Sequence, residues 1–316
     1  MIPFLSKLSD KLFFKQWIIG ICHGDIKEII RTKSFDPDIK WFYLDSFHRF
    51  FADPFFVTSG DGNLKILFED YPFDDDYGKI ALMTVDKNFN HISDKLLLDT
   101  GTHLSYPYVC YEDNKIYIFP EAAKSGKLSC YEYDPHAESM KFLKVIIDMP
   151  LRDCTILKHE DKYWIFGIIA EGDTNYKLHL FHADNLLGPY SPHKKNPVRD
   201  GLNGTRPAGN FVEVDGILYR PAQNCMNGYG ESITVYRITE LNEENISEEP
   251  YMDITINRKN SKNRAIHSIH TLNQTGNILA VDGEQWTFAP MKQLRKYLGD
   301  VFPSEKKIKK RENSSN

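Results

Sequence analysis

Cysteine is sparse and unordered in this 316-residue chain. Cys22, Cys110, Cys130, Cys154 and Cys225 are odd in number, and no two are spaced as C-x-x-C. A secreted disulfide framework and a structural zinc site are therefore not expected. Long apolar runs are missing as well. The stretch Trp17 to Cys22 is too short to span a bilayer or to form the core of a secretory leader, so no integral membrane segment and a cytoplasmic location are expected. Positive charge is in deficit: 39 Lys and Arg face 44 Asp and Glu, a net charge of −5. The run Glu305 to Glu312 holds five basic and two acidic residues, so the body before it carries about −8 (−5 minus +3). Such a surface suits no nucleic-acid partner. Neither G-x-G-x-x-G after a strand nor G-x-x-x-x-G-K-[ST] occurs, which argues against nucleotide-cradling folds, and no cofactor is expected.

What is present is a repeat. Five stretches share one shape: a polar residue opens an apolar run, a turn follows, and a second apolar run ends in a polar residue. They open near residues 53, 106, 153, 206 and 270. Turns fall at Ser59 to Asn63, Asp113-Asn114, Glu160-Asp161, Asp215-Gly216 and Gln274 to Asn277. Steps of about 50 residues built from short strands are the signature of propeller blades. Third strands are expected at Lys79 to Val85, Lys127 to Tyr133, Lys177 to His182 and Ser232 to Ile238. No long stretch of helical period competes in the middle of the chain. The reading is an all-β, five-bladed β-propeller over residues 38–290. An N-terminal segment, 1–37, closes onto it, and a C-terminal helix with a basic disordered tail occupies 291–316. Helix is allowed over Lys7 to Ile30 and over Met291 to Leu298.

Circular closure would bring the strand ends to one mouth. The expected ring consists of Asp53, Glu69, Tyr106, Glu121, Asp153, Arg206, Gln223, His270 and Asp282, with Asp53 beside Glu69, Tyr106 beside Glu121, Arg206 beside Gln223 and His270 beside Asp282. Asp53, Glu121 and Asp153 are the candidate catalytic carboxyls: a base or nucleophile, an acid, and a group that tunes them, as chemistry at an anomeric carbon requires. Arg152 and Arg206 could hold a carboxylate or phosphate, or simply pair with the acids. Tyr106, Tyr108, Phe55, Tyr219 and Trp286 are candidate faces for a sugar ring. The plain alternative is that Asp-Pro is a turn device and that the Arg–acid pairs only neutralise the channel.

The strings Phe51-Ala52-Asp53-Pro54-Phe55, Ser105-Tyr106-Pro107 with Pro120-Glu121, Thr205-Arg206-Pro207-Ala208-Gly209, Arg220-Pro221-Ala222-Gln223 with Tyr229-Gly230, and His270-Thr271 with Asp282-Gly283 together resemble the N-terminal domain of plant glucosamine inositolphosphorylceramide transferases and their bacterial relatives. The resemblance runs from about Trp17 to about Trp286, and five weak motifs in order make it specific. That family is similar in turn to the five-bladed propellers of arabinanases and levansucrases. Gly188-Pro189-Tyr190, His193 and Asn196-Pro197 also resemble a blade connection of those enzymes. The resemblance implies Asp53 as base or nucleophile and Arg152-Asp153 as transition-state stabiliser. It places the acid Glu on a later blade than Glu121. The plant protein carries a glycosyltransferase domain after its propeller, so the resemblance implies sugar handling and does not carry over the ceramide-glycosylating reaction.

Other groupings point elsewhere. His179 with His182, and His267 with His270, have an i,i+3 spacing that places them on opposite faces of a strand, so no metal clamp is expected. Cys154 lacks a neighbouring base and reads as a core thiol. Asp70, Asp74, Asp75 and Asp76 lack EF-hand spacing. The functional expectation is an enzyme acting on a sugar, nucleotide sugar or glycan. Glycosyl transfer in polysaccharide or glycolipid assembly comes first, and furanosidase-type hydrolysis is the alternative. A non-catalytic propeller partnering a separate glycosyltransferase and a purely protein-binding propeller remain open.

Overall fold

Short apolar runs punctuated by Gly, Asp and Asn cannot each bury a face alone, and antiparallel pairing with neighbours solves the problem for all of them. The computed structural model describes residues 13–44, 47–170, 176–260 and 263–288. Its strands, numbered in chain order, form five antiparallel sheets around one axis. After β1 (Phe13–His23) and β2 (Lys40–Trp41), blade one is β3 (Arg49–Val57), β4 (Leu64–Pro72), β5 (Lys79–Val85) and β6 (His91–Leu98). Blade two is β7 (Ser105–Glu112), β8 (Lys115–Glu121), β9 (Leu128–Asp134) and β10 (Ser139–Ile147). Blade three comprises β11 (Leu151–His159), β12 (Lys162–Ile169), β13 (Lys177–Ala183) and the short β14 (Ser191–Pro192) and β15 (Arg199–Asp200). Blade four has β16 (Asn203–Pro207), β17 (Val212–Val214), β18 (Ile217–Asn224), β19 (Ser232–Leu241) and β20 (Ile246–Ile254). The expected all-β propeller with five blades is what forms.

Blade five joins the two ends of the chain. Its inner strands are β21 (Leu272–Thr275) and β22 (Ile278–Phe288), and β1 and then β2 complete it from the N-terminal side. β1 pairs with β22 along its whole length, from Phe13↔Phe288 to His23↔Ile278. The helix allowed over residues 7–30 is thus a strand at 13–23, and helix begins only at α1 (Ile26–Thr32), capped by the Asp25 carboxylate accepting the Lys27 N–H at 2.9 Å. The reason lies in Trp17 to Cys22, which is apolar on both sides because β1 lies within its sheet, between β22 and β2, and is sandwiched by blades four and one. Gly20 is required there: a Cβ would stand 2.6 Å from Ile39 and 2.7 Å from Trp41. Residues 1–12, the allowed helix at 291–298 and the basic tail lie outside the described residues.

The core lies between blades. Phe55, Leu67, Ile118, Phe119 and Ile165 bind blades one to three. Leu157, Phe166, Leu218 and Ile238 bind three to four. Ile18, Val235 and Leu272 bind four to five, and Ile19, Ile21, Ile66 and Phe68 close five onto one. Ile19 is fully buried at the last of these seams. Replacing it by alanine should cost about 2–5 kcal/mol in urea unfolding, the range for a large-to-small change that leaves a cavity. A loss below about 1 kcal/mol would mean that β1 does not hold the ring closed.

Candidate functional site

Three blades carry the same defect at the mouth. The ladder between first and second strands breaks between Ala52 and Phe55, between Ser105 and Tyr108, and between Arg152 and Thr155. The extra pairs are Asp53-Pro54, Tyr106-Pro107 and Asp153-Cys154. The first member of each has positive φ: 54° at Asp53, 41° at Tyr106 and 48° at Asp153. A bulge turned into the left-handed region is uncommon for residues other than glycine and removes an N–H from the ladder. That N–H must find another partner.

In each blade a carboxylate of the preceding blade supplies it. Asp282 accepts the Asp53 N–H at 2.9 Å, Asp53 accepts the Tyr106 N–H at 3.1 Å, and Glu121 accepts the Asp153 N–H at 3.3 Å. The bulges also shift the expected pairs by one residue: Ala52 faces Glu69, Ser105 faces Glu121, and Pro207 faces Ala222. Blade four interrupts its first strand between β16 and β17. Gly209 there has φ 126°, and a Cβ would collide with the Leu272 carbonyl.

Above these bulges opens a cavity of about 310 Å³. Blade one contributes Phe50, Asp53 and Glu69; the link to blade two adds His103 and Ser105. Glu121, Ala123 and Lys124 follow from blade two, Arg152 and Asp153 from blade three, Arg206 and Tyr229 from blade four. Asp53, Glu121 and Asp153, the three carboxyls singled out in the sequence, thus reach one cavity together with Glu69, Arg152 and Arg206. The remaining four of the ring do not line it. Tyr106, Gln223, His270 and Asp282 are buried beneath its floor. The Tyr106 hydroxyl spans the channel, accepting the Gly209 N–H at 2.7 Å and bonding Thr155 at 2.7 Å. Gln223 donates to the Pro207 carbonyl at 3.3 Å. The expected sugar faces are corrected too: Phe55, Tyr106, Tyr108 and Tyr219 are core residues, and Trp286 stacks on His267 at 3.9 Å. Phe50 and Tyr229 are the aromatics in the wall. A larger open groove of about 820 Å³, among His23, Trp41, Tyr43 and Phe89, lies at the opposite ends of the strands and gathers no comparable set of carboxyls.

The electrostatics separate the acids. Burial, with Asp282 and Asp153 nearby, raises the Asp53 carboxyl to about 6 against the pull of His270 and the Thr271 hydroxyl, which donates to it at 3.0 Å. Burial and then Asp153 hold Glu121 well above the carboxylate range, although Arg206 and Arg152 oppose this. Burial, Asp53 and Glu121 do the same to Glu69. Asp153 instead forms an ion pair with Arg206 at 2.7 Å, and the guanidinium lies 4.9 Å from the Tyr229 ring centre. Below Asp53, His270 Nδ1 sits 2.7 Å from Asp282 and its Nε2 3.6 Å from Asp53. Burial disfavours the imidazolium, yet the two carboxylates outweigh it and raise the imidazole's pKa. Trp17 of β1 stacks on this ring at 4.1 Å.

Asp53, His270 and Asp282 have ligand atoms within 4.8 Å of one another, so among the described residues they are the group that could hold a cation. The i,i+3 reasoning missed this trio because its members come from two blades. His267 and His270 precede β21 and lie outside any strand, so the strand argument does not apply to them; one stacks on Trp286 and the other on Trp17. Cys154 is a buried thiol pushed far above its ordinary pKa by burial. His103, Lys124 and Tyr229 were also missed. Each sits in a loop beside a strand end already assigned to the mouth, and that adjacency was the available signal.

Raised acids set the sign of the stability profile. Stability from a carboxyl with an elevated folded pKa is complete below its unfolded value and lost as pH rises through the folded one. Asp53 loses its share between 3.8 and about 6, and Glu69 and Glu121 lose theirs above the ordinary Glu range. His270, also raised, acts in the same direction. Half-buried Asp86 and exposed Asp134, lowered by backbone N–H donors, limit the acid side. The melting temperature should therefore be higher near pH 5 than at about pH 8. Glu121→Gln should flatten that slope. A flat wild-type profile would mean that these carboxyls are not held neutral.

The sequence model of the family described as "Glucosamine inositolphosphorylceramide transferase 1, N-terminal" matches residues 44–284. Glucosamine inositolphosphorylceramide transferase 1 of Arabidopsis thaliana is 36% identical over 206 residues, 63% of this chain and 27% of that protein. The chain spans about a quarter of the length of the curated relatives it matches. Among solved structures, a family 117 glycoside hydrolase from the marine bacterium Zobellia galactanivorans superposes with a TM-score of 0.54, at 13% identity, over 87% of this chain and 91% of that one. A thermostable family-43 glycoside hydrolase gives 0.50 at 16% identity, over 64% of this chain and 76% of that one. These two likenesses are of fold.

Proposed function

The chain belongs to the glucosamine inositolphosphorylceramide transferase 1 N-terminal family, and from that premise we propose that its funnel is a carbohydrate site acting at the anomeric carbon of one bound sugar. One observation carries the reading: four carboxyl groups from three blades line a single open cavity, with Asp53 poised near neutrality while Glu69 and Glu121 are held protonated. Paired acids pushed apart in this way divide into a base and an acid. A volume of about 310 Å³ lies at the small end of ligand pockets and suits a single ring.

Asp53 is the base or nucleophile. Its two oxygens are fixed by the Tyr106 N–H and the Thr271 hydroxyl, so the carboxylate is aimed before the sugar arrives. Glu121, neutral beside Arg152, is the acid that protonates the leaving oxygen. Asp153, locked by Arg206, holds sugar hydroxyls and steadies positive charge developing at the ring. The family's named relatives favour glycosyl transfer, in glycolipid or polysaccharide assembly. Hydrolysis is the second reading, favoured by the fold shared with family 117 and family 43 glycoside hydrolases.

Incubating the protein with nucleotide sugars and with aryl furanosides and pyranosides separates the two. Asp53→Asn should lower turnover at least about 100-fold, the scale of a general base, while leaving the melting temperature nearly unchanged. The wild-type kcat/KM should rise with pH through about 6 as Asp53 loses its proton, then fall as Glu121 loses its own; Glu121→Gln should abolish the falling limb. If no donor or glycoside is consumed while a saccharide still raises the melting temperature, the funnel binds and does not catalyse.

A further inference from the structure

Of the four carboxyls that line the funnel, three are held by polar partners within the protein. Asp53 accepts the Tyr106 N–H and the Thr271 hydroxyl, Glu121 accepts the Asp153 N–H, and Asp153 is ion-paired with Arg206. Glu69 differs. Its side chain is buried in the cavity wall, yet it hydrogen-bonds nothing among the described residues, and its Oε1 is closed off from solvent without a partner. His103 Nδ1 stands 3.7 Å from that oxygen, beyond hydrogen-bond reach, and already accepts the Gly78 N–H at 3.0 Å. Packing holds the carboxyl instead. A Cβ on residue 78 would stand 2.3 Å from Glu69 Oε1 and 2.4 Å from the Leu104 carbonyl, so glycine there leaves the side chain its place. Burial, and then the neighbouring Asp53 and Glu121, keep Glu69 neutral. A neutral carboxyl carries an O–H donor beside its acceptor oxygen. A buried polar group without a partner costs stability in the free protein, and a ligand that completes it accounts for its being there.

We propose that Glu69 is a specificity-determining residue of the funnel, its carboxyl hydrogen-bonding a ring hydroxyl of the bound sugar close to the anomeric carbon. The inference rests on the carbohydrate reading above and narrows its substrate class to sugars in which that hydroxyl is present and unsubstituted. The position follows from the ladder. Glu69 faces Ala52, the residue before Asp53, so the carboxyl that reads the hydroxyl and the one that acts at the anomeric carbon come from paired strands of one blade. A site built to bond a hydroxyl rejects the analogue lacking it, because the protein's own buried group is then left unpaired.

Calorimetric titration of the whole chain with the methyl glycosides of glucose, galactose, mannose, xylose and arabinose finds a sugar that binds, and its monodeoxy forms are then titrated in turn. Removing one hydroxyl should weaken wild-type binding about tenfold or more. Glu69→Met should bind the parent sugar about as weakly as the wild type binds that deoxy form, and the same deoxygenation should then cost little further. Glu69→Gln, which keeps a donor and an acceptor, should stay within about threefold of the wild type. Glu69→Met should also keep or raise the melting temperature, since it removes a buried polar group that has no partner. Four results overturn the assignment and leave the carbohydrate reading standing: no deoxy form binds more weakly, the deoxy penalty persists in Glu69→Met, Glu69→Gln is as weak as Glu69→Met, or Glu69→Met is markedly less stable. If no sugar binds, both fall.

Discussion

The site depends on one hydrogen-bonding obligation: three buried backbone N–H groups pushed out of their ladders at the bulges. An unmet donor there would cost about 1–3 kcal/mol, so each bulge is viable only with an acceptor in reach. Asp282, Asp53 and Glu121 are those acceptors, each contributed by one blade to the next. Two of these acceptors, Asp53 and Glu121, are also among the carboxyls crowded together at the mouth. Their proximity, added to burial, is what drives Asp53, Glu69 and Glu121 toward the protonated state. The structural role of Asp53-Pro54 and its proposed chemical role use the same carboxyl, so the one does not exclude the other.

Much of the fold could be read along the chain because the blades repeat in residues that obey simple rules. β5, β9, β13 and β19 alternate or run apolar between turns, and they emerge where expected. The fourth strands escaped notice. β6 and β10 are outer edges, largely exposed, and carry little apolar pattern for their length. β1 was obscured for the opposite reason. Buried on both faces, it shows neither period, and only its pairing with β22 decides between strand and helix.

The candidate site was legible at the level of which strand ends meet and opaque at the level of which atoms face the opening. Asp53, Glu121 and Asp153 reach the cavity as the repeat implied. The two-residue bulges then turned Tyr106 downward, where its hydroxyl braces blade two against blade four. Reading a bulge requires knowing where a ladder breaks, and Asp-Pro and Tyr-Pro signal this only after the pairing is known, because proline lacks the N–H that a ladder would demand. Lys124, His103 and Tyr229 sit in linkers whose course is set by tertiary contact. Gly230, for example, must be glycine because a Cβ would meet His270 and Trp17.

The pairing of β1 with β22 has a consequence for biogenesis. Phe13–His23 leaves the ribosome about 250 residues ahead of Ile278–Phe288, a lead of roughly 10–50 s at ordinary translation speeds. Throughout that interval Trp17 to Cys22 is a sticky β-segment without its mate, the kind of sequence that recruits chaperones or nucleates aggregates. Truncated nascent chains should accordingly be far more aggregation-prone than the finished ring, and overproduction should benefit from slowed synthesis or added holdase capacity.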